Sequence, residues 1–371
     1  MIQRPRVLLL IPHLGGGGAE RVTSLLAEGL CGVNHEIHLG LITQTTPFTS
    51  HFSRSVHVHG LDARRVRASA IPLLRLVWNL SPDVILSGMA HLNFLVLLLR
   101  PFFPFKTHVL IRQNGTVSST LTTGKLPFYT RLLYRLLYHR ADWVICQSKS
   151  MAQDLSTETG TPRKKLVILQ NPVDVDQIRR VASTSVNRWS GPGPHLLAVG
   201  RLSTEKGFDM LLQALATLKF RFPAADLTIL GAGPEEAALR AQCKELEIDA
   251  AVRFPGHVED PAAYFPGASV FVLSSHHEGL PNALLEAAAA GLPLVALPAS
   301  GGIAALMRGN PGEWLAREVS ADALVESLMA ALETLKPSDR FPHSWIENFK
   351  LKSAIRAYES LISLTLREHR S

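Results

Sequence analysis

Short apolar runs separated by segments of helical period constrain this chain more than any other feature, and the alternation runs through it twice. RVLLLIP (6–12), HEIHLGLIT (35–43), VHVHGL (56–61), PDVILSG (82–88), HVLIRQNG (108–115) and ADWVICQS (141–148) read as strands. Between the first two lies AERVTSLLAEGL, with Val22, Leu25, Leu26 and Leu30 at helical spacing. Near-continuous apolar strands that alternate with helices predict a parallel sheet covered on both faces. The pattern restarts after residue 194. HLLAVGRL, DLTILGAG, VRFPG, SVFVLSS and GLPLVALP are strands, and FDMLLQALATL and EEAALRAQCKEL are helices. The fold class is therefore α/β, as two doubly wound units.

The polar, turn-rich segment VASTSVNRWSGPGP (181–194) marks the boundary, so the domains are 1–185 and 186–345. A long helical pattern, WIENFKLKSAIRAYESLISLTL, ends the chain. Charge supports two units with different partners. Residues 1–188 hold 22 Lys and Arg against 10 Asp and Glu, a net +12, and the remainder 16 against 21, a net −5. A basic half suits nucleic acid, an anionic membrane surface or a phosphorylated substrate. No aromatic-interleaved basic sheet or nucleic-acid recognition module is visible, which argues against nucleic acid. The three cysteines, Cys31, Cys146 and Cys243, lie far apart without metal-ligand spacing and read as reduced, suiting the cytoplasm. Val7 to Ile11 is too short for the core of a signal peptide. LNFLVLLL (92–99) stops far short of the ~20 residues of a membrane span and reads as a buried helix.

Chemistry gathers at strand ends. Gly15–Gly18 joins a strand to a helix start, a place for an anion or simply a tight connection; it is neither a dinucleotide fingerprint nor a P-loop. GRLSTEKG (200–207) puts two cations, Arg201 and Lys206, after a buried strand, where open α/β sheets bind ligands. GAGP (231–234) follows the next strand. In HHEGLPNALLEAAAAG (276–291) a turn precedes a helix starting near Pro281 or Asn282, so Glu278 lies on a loop and Glu286 on the helix. The helix start offers N–H groups and a positive dipole end. The convergence points to a diphosphate and a sugar.

GGGGAERV, QNPVD (170–174), GRLSTEKG, GAGP and HEGLPNALLEAAAAGLP, in that order, resemble the retaining GT-B glycosyltransferases of family 4, over nearly the whole chain. The resemblance implies a GT-B fold, two Rossmann-like domains facing each other across a cleft, with the final helix (346–371) packed back on the first. It implies that Arg201 and Lys206 neutralise the donor diphosphate, that Glu278 contacts the donor sugar and that Glu286 bonds the ribose. Gly279, Leu280, Pro281 and Asn282 would lie near sugar and phosphate, Gly233 near the donor, and His257 and Val258 near the base. Gly16 and Gly17 would approach the donor phosphates from the first domain. His91 would stand close to the reacting sugar, a helix-capping or core role being its alternative. Asn93, Arg112 and Asn114, at comparable strand ends, are candidates for the acceptor.

The expected function is transfer of a sugar, with retention, from a nucleotide-sugar such as a UDP-sugar to a glycan or polyprenyl-diphosphate-linked acceptor. The pathway would be surface polysaccharide or lipopolysaccharide synthesis, in the cytoplasm and peripheral to the inner face of the plasma membrane. A nucleotide-sugar 2-epimerase or hydrolase on the same fold, or a silent GT-B binding subunit, are the alternatives. A glycosidase would also use two carboxylates, but the flanking cations and glycines suit a diphosphate better. No cofactor or metal is expected. Asp174-Val175-Asp176 mimics a metal motif but suits helix capping. His57 with His59, and His276 with His277, show no acidic or cysteine partner in the sequence. LPFYTRLLYRLLYHRADW (126–143) interleaves Leu133, Leu136, Leu137, Tyr134 and Tyr138 with Arg131, Arg135 and Arg140. It reads either as a helix packed on the first domain or as one lying on an anionic membrane, with the Arg64–Arg67 loop beside it.

Overall fold

Residues 4–15, 17–31, 35–43, 52–53, 55–122, 129–299, 301–336 and 338–368 are described by a computed structural model. The first run is β1 (Arg6–Ile11), α1 (Gly18–Cys31), β2 (Glu36–Leu41), β3 (Val56–Gly60), α2 (Ala70–Leu80), β4 (Val84–Gly88) and α3 (Ala90–Leu99). It continues through β5 (His108–Arg112), α4 (Val117–Thr122), α5 (Thr130–Leu137), β6 (Trp143–Cys146), α6 (Lys149–Thr159) and β7 (Leu166–Ile168). The second run is α7 (Val175–Thr184), β8 (His195–Val199), α8 (Phe208–Leu218), β9 (Asp226–Leu230), α9 (Glu236–Glu245), β10 (Val252–Gly256) and β11 (Val270–Leu273). Then come α10 (Asn282–Ala289), β12 (Leu294–Ala296), α11 (Gly301–Leu306), β13 (Glu313–Leu315), α12 (Ala321–Thr334) and finally α13 (Leu351–Glu368).

The chain divides into two compact units, Met1–Pro172 with Phe349–Ser371, and Val173–Asn348. The division falls before α7 rather than at residue 185. The reason is packing: α7 lies against α10, and Arg179 Nε donates to the Ala289 carbonyl at 3.0 Å. Asp174 caps α7, its side chain accepting from the Gln177 N–H at 3.0 Å, so this D-x-D serves the helix.

Among the described residues of the first unit seven strands form one parallel sheet, in the order β3-β2-β1-β4-β5-β6-β7. Successive residues of β1 feed opposite faces. Leu8 and Leu10 join a core with α2, α3, α5 and α6; Val7, Leu9 and Ile11 join one with α1 and α13. The LNFLVLLL helix is α3, with Leu92, Val96, Leu97 and Leu99 buried, and among the described residues no helix is long and apolar enough to cross a membrane. Tyr134, Tyr138 and Leu137 turn inward, the two tyrosine rings 4.7 Å apart and Phe94 against them. Most of the apolar stripe of α5 thus belongs to the core.

His57 and His59 have neighbours that the sequence alone did not reveal. Parallel pairing of β2 with β3 brings His38 opposite them, its Nδ1 2.9 Å from His59 Nε2, and Glu36 Oε1 lies 3.1 Å from His38 Nε2. Desolvation, then the charge of His57, lowers the pKa of His59; desolvation lowers that of His38 against the opposing pull of its hydrogen bond with Glu36. Even so, no group of three or more His, Cys, Asp or Glu among the described residues is arranged to hold a metal. The three cysteines are free thiols, and burial pushes that of Cys146 up to about 12.

The second unit repeats the plan in the order β10-β9-β8-β11-β12-β13, all parallel. One face carries α8, α9 and α12 over Leu196, Ala198, Leu227, Ile229 and Val270. In both sheets the strand order reverses at one place, between β1 and β4 and between β8 and β11. In open α/β sheets the crevice beyond the strand C-termini at that point is where ligands bind.

Candidate active site

At the switch point of the second unit, β8 runs into Gly200-Arg201 and a turn of 3-10 helix, Thr204–Lys206. The neighbouring β11 runs into the Ser274–Glu278 loop. Two ion pairs dress this place. Lys206 Nζ donates to Glu278 Oε1 at 2.5 Å, and Ser275 Oγ donates to the same oxygen at 2.7 Å. Arg201 Nη2 donates to Glu205 Oε1 at 2.9 Å. The first pair is mostly enclosed, with Glu278 11% and Lys206 24% exposed; Arg201, at 70%, reaches solvent. Burial alone would raise the Glu205 carboxyl, but hydrogen bonds from Ser203, its own backbone N–H and Arg201 hold its pKa below the usual carboxylate value.

The loops are stitched to one another by hydrogen bonds to backbone carbonyls. Ser274 Oγ donates to the Lys206 carbonyl at 2.9 Å, and His276 N–H to the Glu205 carbonyl at 2.9 Å. Leu202 N–H donates to the Ala232 carbonyl at 3.0 Å, which brings in the GAGP loop after β9. Two glycines make the approach possible. Gly207 sits at φ 59, and a Cβ there would be 2.2 Å from the Ser274 carbonyl oxygen. A Cβ on Gly233 would be 2.2 Å from the Leu202 carbonyl oxygen. Lys206, Glu278 and Gly233 are thereby held in one rigid group.

Helix α10 starts immediately beyond, with Pro281 at its N-cap, and turns the positive end of its dipole to the Glu278 loop. Gly279 and Leu280 are buried, Asn282 is half-buried in the first turn, and Glu286 is buried one turn further on. The 276–291 stretch therefore sorts its carboxylates as expected, one on the loop and one on the helix. His257 is exposed and Val258 half-buried after β10, whose Gly256 carbonyl accepts from Gly231 N–H at 2.8 Å. His276 Nε2 lies 3.9 Å from Asp209.

The first unit sets its own candidates at its own switch point. Gly17 precedes α1, its carbonyl accepting from Arg21 N–H at 3.0 Å; Gly16 lies outside the described residues. His13 Nδ1 stands 3.6 Å from Glu20 Oε1 beside this turn. Across from it, β4 runs into Met89, whose φ of 79 is a strained backbone for a residue with a side chain. That turn presents His91, exposed in the first turn of α3. Partial desolvation, then the charge of His13, lowers its pKa, which favours a neutral imidazole.

Two acceptor candidates need correction. Asn93 is fully buried, its Nδ2 donating to the Arg112 carbonyl at 2.9 Å. Arg112 is 3% exposed, its Nη2 donating to Asn171 Oδ1 at 2.7 Å. Asn93 ties the start of α3 to the end of β5, and Arg112 ties the end of β5 to the segment after β7, each giving a buried donor an acceptor. Asn114 is half-exposed and keeps a buried Nδ2 without a hydrogen bond among the described residues. Residue-level reading missed Glu205, Ser274 and Ser275. The spacing of Arg201 and Glu205 hinted at the first; the serines became visible only when β8 and β11 were neighbours.

Residues 16–177 match the family model described as Glycosyltransferase Family 4, and residues 183–351 match Glycosyl transferases group 1. Among relatives, the N-acetylgalactosamine-N,N'-diacetylbacillosaminyl-diphospho-undecaprenol 4-alpha-N-acetylgalactosaminyltransferase of Campylobacter jejuni is 27% identical over 365 residues, 95% of each chain. The lipopolysaccharide core biosynthesis glycosyltransferase LpsE of Rhizobium meliloti is 30% identical over 172 residues, 46% of this chain and 48% of its own. A glycosyltransferase from Rickettsia africae superposes with a TM-score of 0.79 at 15% identity, covering 98% of this chain and 99% of its own. Anabaena HepE, solved with UDP and glucose, gives 0.78 at 16% identity over 97% and 99%. The chain is a glycosyltransferase, belonging to the group 1 family and having its GT-B fold.

Proposed function

We propose that the protein moves a sugar from a UDP-sugar, with retention at the anomeric carbon, to a lipid-diphosphate-linked or saccharide acceptor during synthesis of a surface polysaccharide or lipopolysaccharide. The observation that carries this reading is the Lys206–Glu278 pair at the β8/β11 switch point, beneath the start of α10. An ammonium, a carboxylate and a helix dipole within one rigid group match the two ends of a sugar diphosphate. HepE holds UDP and glucose on the same fold, and the Campylobacter relative is named for a diphospho-undecaprenol acceptor and an α-linkage.

In this reading Lys206 and Arg201 take the diphosphate, Glu278 a sugar hydroxyl, Glu286 the ribose, and Val258 and His257 flank the base. As the anomeric C–O bond breaks, its electron pair passes to the diphosphate. Lys206, Arg201 and the α10 dipole stabilise that charge, which does not exist in the bound donor. The acceptor oxygen bonds to the anomeric carbon from the same face, and its proton goes to a phosphate oxygen of the leaving group. The cations do the work of a metal, so none is required. The reaction takes place at the anionic inner face of the plasma membrane, where a lipid-linked acceptor resides.

Thermal shift against UDP, GDP, ADP and their sugars, with EDTA present, tests the reading. At a hundredfold excess over Kd a bound nucleotide adds about 2.7 kcal/mol of stability. A shift confined to the uridine series is expected. A folded protein that no nucleotide stabilises would refute the proposal.

A further inference from the structure

The apolar stripe of α5 is largely built into the core, yet the layer to which α5 belongs carries large apolar side chains in solvent. On α2, Ile71, Arg75 and Trp78 follow one another at helical spacing along the outer face, Ile71 63% and Trp78 58% exposed. On α3 and the turn after it, Leu98 and Phe102 are 56% and 63% exposed, and Phe105 is fully exposed. Trp78 Nε1 donates to the Phe102 carbonyl at 2.9 Å, which joins the two helix ends into one aromatic corner. On α5, Leu132 and Leu136 are 54% and 51% exposed, flanking the exposed Arg135. Helices α2, α3 and α5 share the same core on the same face of the sheet, with α3 packed against both of the others.

The charge on this layer is predominantly positive. Residues 62–106 and 130–140 contain nine Lys and Arg and two Asp, with no Glu. Arg100, Lys106 and Arg131 have carboxylate partners. Arg64, Arg65, Arg67, Arg75, Arg135 and Arg140 form no ion pair among the described residues. Apolar patches of this kind mark interaction sites. Charged residues other than arginine are depleted from the core of a protein–protein interface; here six arginines without ion pairs among the described residues are interleaved with the aromatic and aliphatic side chains. That mixture fits a lipid interface, where indole and phenyl rings sit at headgroup level and guanidiniums meet phosphates.

We propose that the outer face of the α2–α3–α5 layer docks the protein on an anionic phospholipid bilayer, with Trp78, Phe102 and Phe105 entering the interface and the unpaired arginines holding headgroups. The proposal rests on the membrane element of the function given above and names the surface responsible. None of these residues belongs to the donor site, so docking and catalysis can be tested apart.

The full chain is sedimented with vesicles of phosphatidylcholine alone and of phosphatidylcholine with phosphatidylglycerol. Binding to the anionic vesicles, weakened by salt, is expected. The double variant Phe102→Ser/Phe105→Ser should bind roughly tenfold more weakly or worse, since two side chains no longer leave water. The variant Arg64→Glu/Arg65→Glu/Arg67→Glu should lose the preference for phosphatidylglycerol by on the order of a hundredfold. Both should keep the wild-type melting temperature and the UDP-induced thermal shift. Loss of that shift in the wild type with vesicle binding intact would sink the transferase proposal and leave this one standing. The docking surface is wrong if wild type ignores anionic vesicles, or if the phenylalanine variant binds them as wild type does. A wild-type dimer that the phenylalanine variant dissolves, without vesicle binding, would reassign the surface to self-association.

Discussion

Glu278 accepts from both Lys206 and Ser275, so its charge and its position are set by the same two contacts. Glu278→Gln keeps the shape and removes the charge. Its expected effect is a fall in kcat of about a hundredfold or more, with the melting temperature nearly unchanged. Lys206→Ala removes the cation meant for the diphosphate and should abolish the UDP thermal shift; a shift of wild-type size would end the donor assignment. Asn93 provides the contrast. It looks like a site residue in sequence and is a core residue in space. Asn93→Ala leaves the Arg112 carbonyl without its donor and should cost about 1–3 kcal/mol in denaturant unfolding, with UDP affinity as in wild type. A stable variant with lost transfer would restore Asn93 to the acceptor site.

Elements hold these residues in place through a few polar ties. Asp142, before β6, accepts from Arg100 Nη2 at 2.6 Å and from Val109 N–H at 2.7 Å, joining the end of α3 to β5. Burial would raise its carboxyl, but His108, the Val109 N–H and Arg100 together lower it to about 2. A depressed folded pKa contributes stability that is complete above the unfolded value near 3.8 and disappears as pH falls through the folded value of about 2. Asp142→Asn should therefore be less stable than wild type by roughly 2 kcal/mol at neutral pH. In urea melts the gap should close between about pH 4 and pH 2; a gap constant with pH would show that the charge is irrelevant. At the other switch point, Gly207→Ala meets both a left-handed backbone and the Ser274 carbonyl. A loss of about 1–3 kcal/mol is expected, together with weaker UDP binding, because the β8 and β11 loops must separate.

At the scale of the molecule the two units differ in charge more sharply than the sequence halves do. The unit of Met1–Pro172 with Phe349–Ser371 has 24 Lys and Arg against 10 Asp and Glu, a net +14; Val173–Asn348 has 14 against 21, a net −7. The proposed function puts the anionic donor on the acidic unit, where local cations and a helix dipole would do the binding. Hydrogen exchange with and without UDP checks this. Protection should concentrate in residues 200–207, 231–235 and 275–286, and protection restricted to the first unit would overturn it. Transfer measured in EDTA should stay within about twofold of the rate with added magnesium. A large loss restored by magnesium would show that Lys206 and Arg201 do not suffice.

Much of this was present in the sequence. The doubled strand–helix alternation determined two parallel sheets, because fully buried strands must be apolar on both faces and their crossovers must be helices. GRLSTEKG, GAGP and HEGLPNALLE pointed to the proposed donor site, because phosphate and sugar chemistry needs cations, carboxylates and glycines at strand ends, and strand ends are visible locally. What the sequence could not decide was which way a side chain faces once strands far apart in the chain become neighbours. Only the tertiary structure turned Asn93, Arg112, Tyr134 and Tyr138 inward, gave His38 and Glu36 to His57 and His59, and moved α7 to the second unit. It alone left Trp78, Phe102 and Phe105 in solvent. Burial is a property of what packs on an element, and no period along one element records its neighbours.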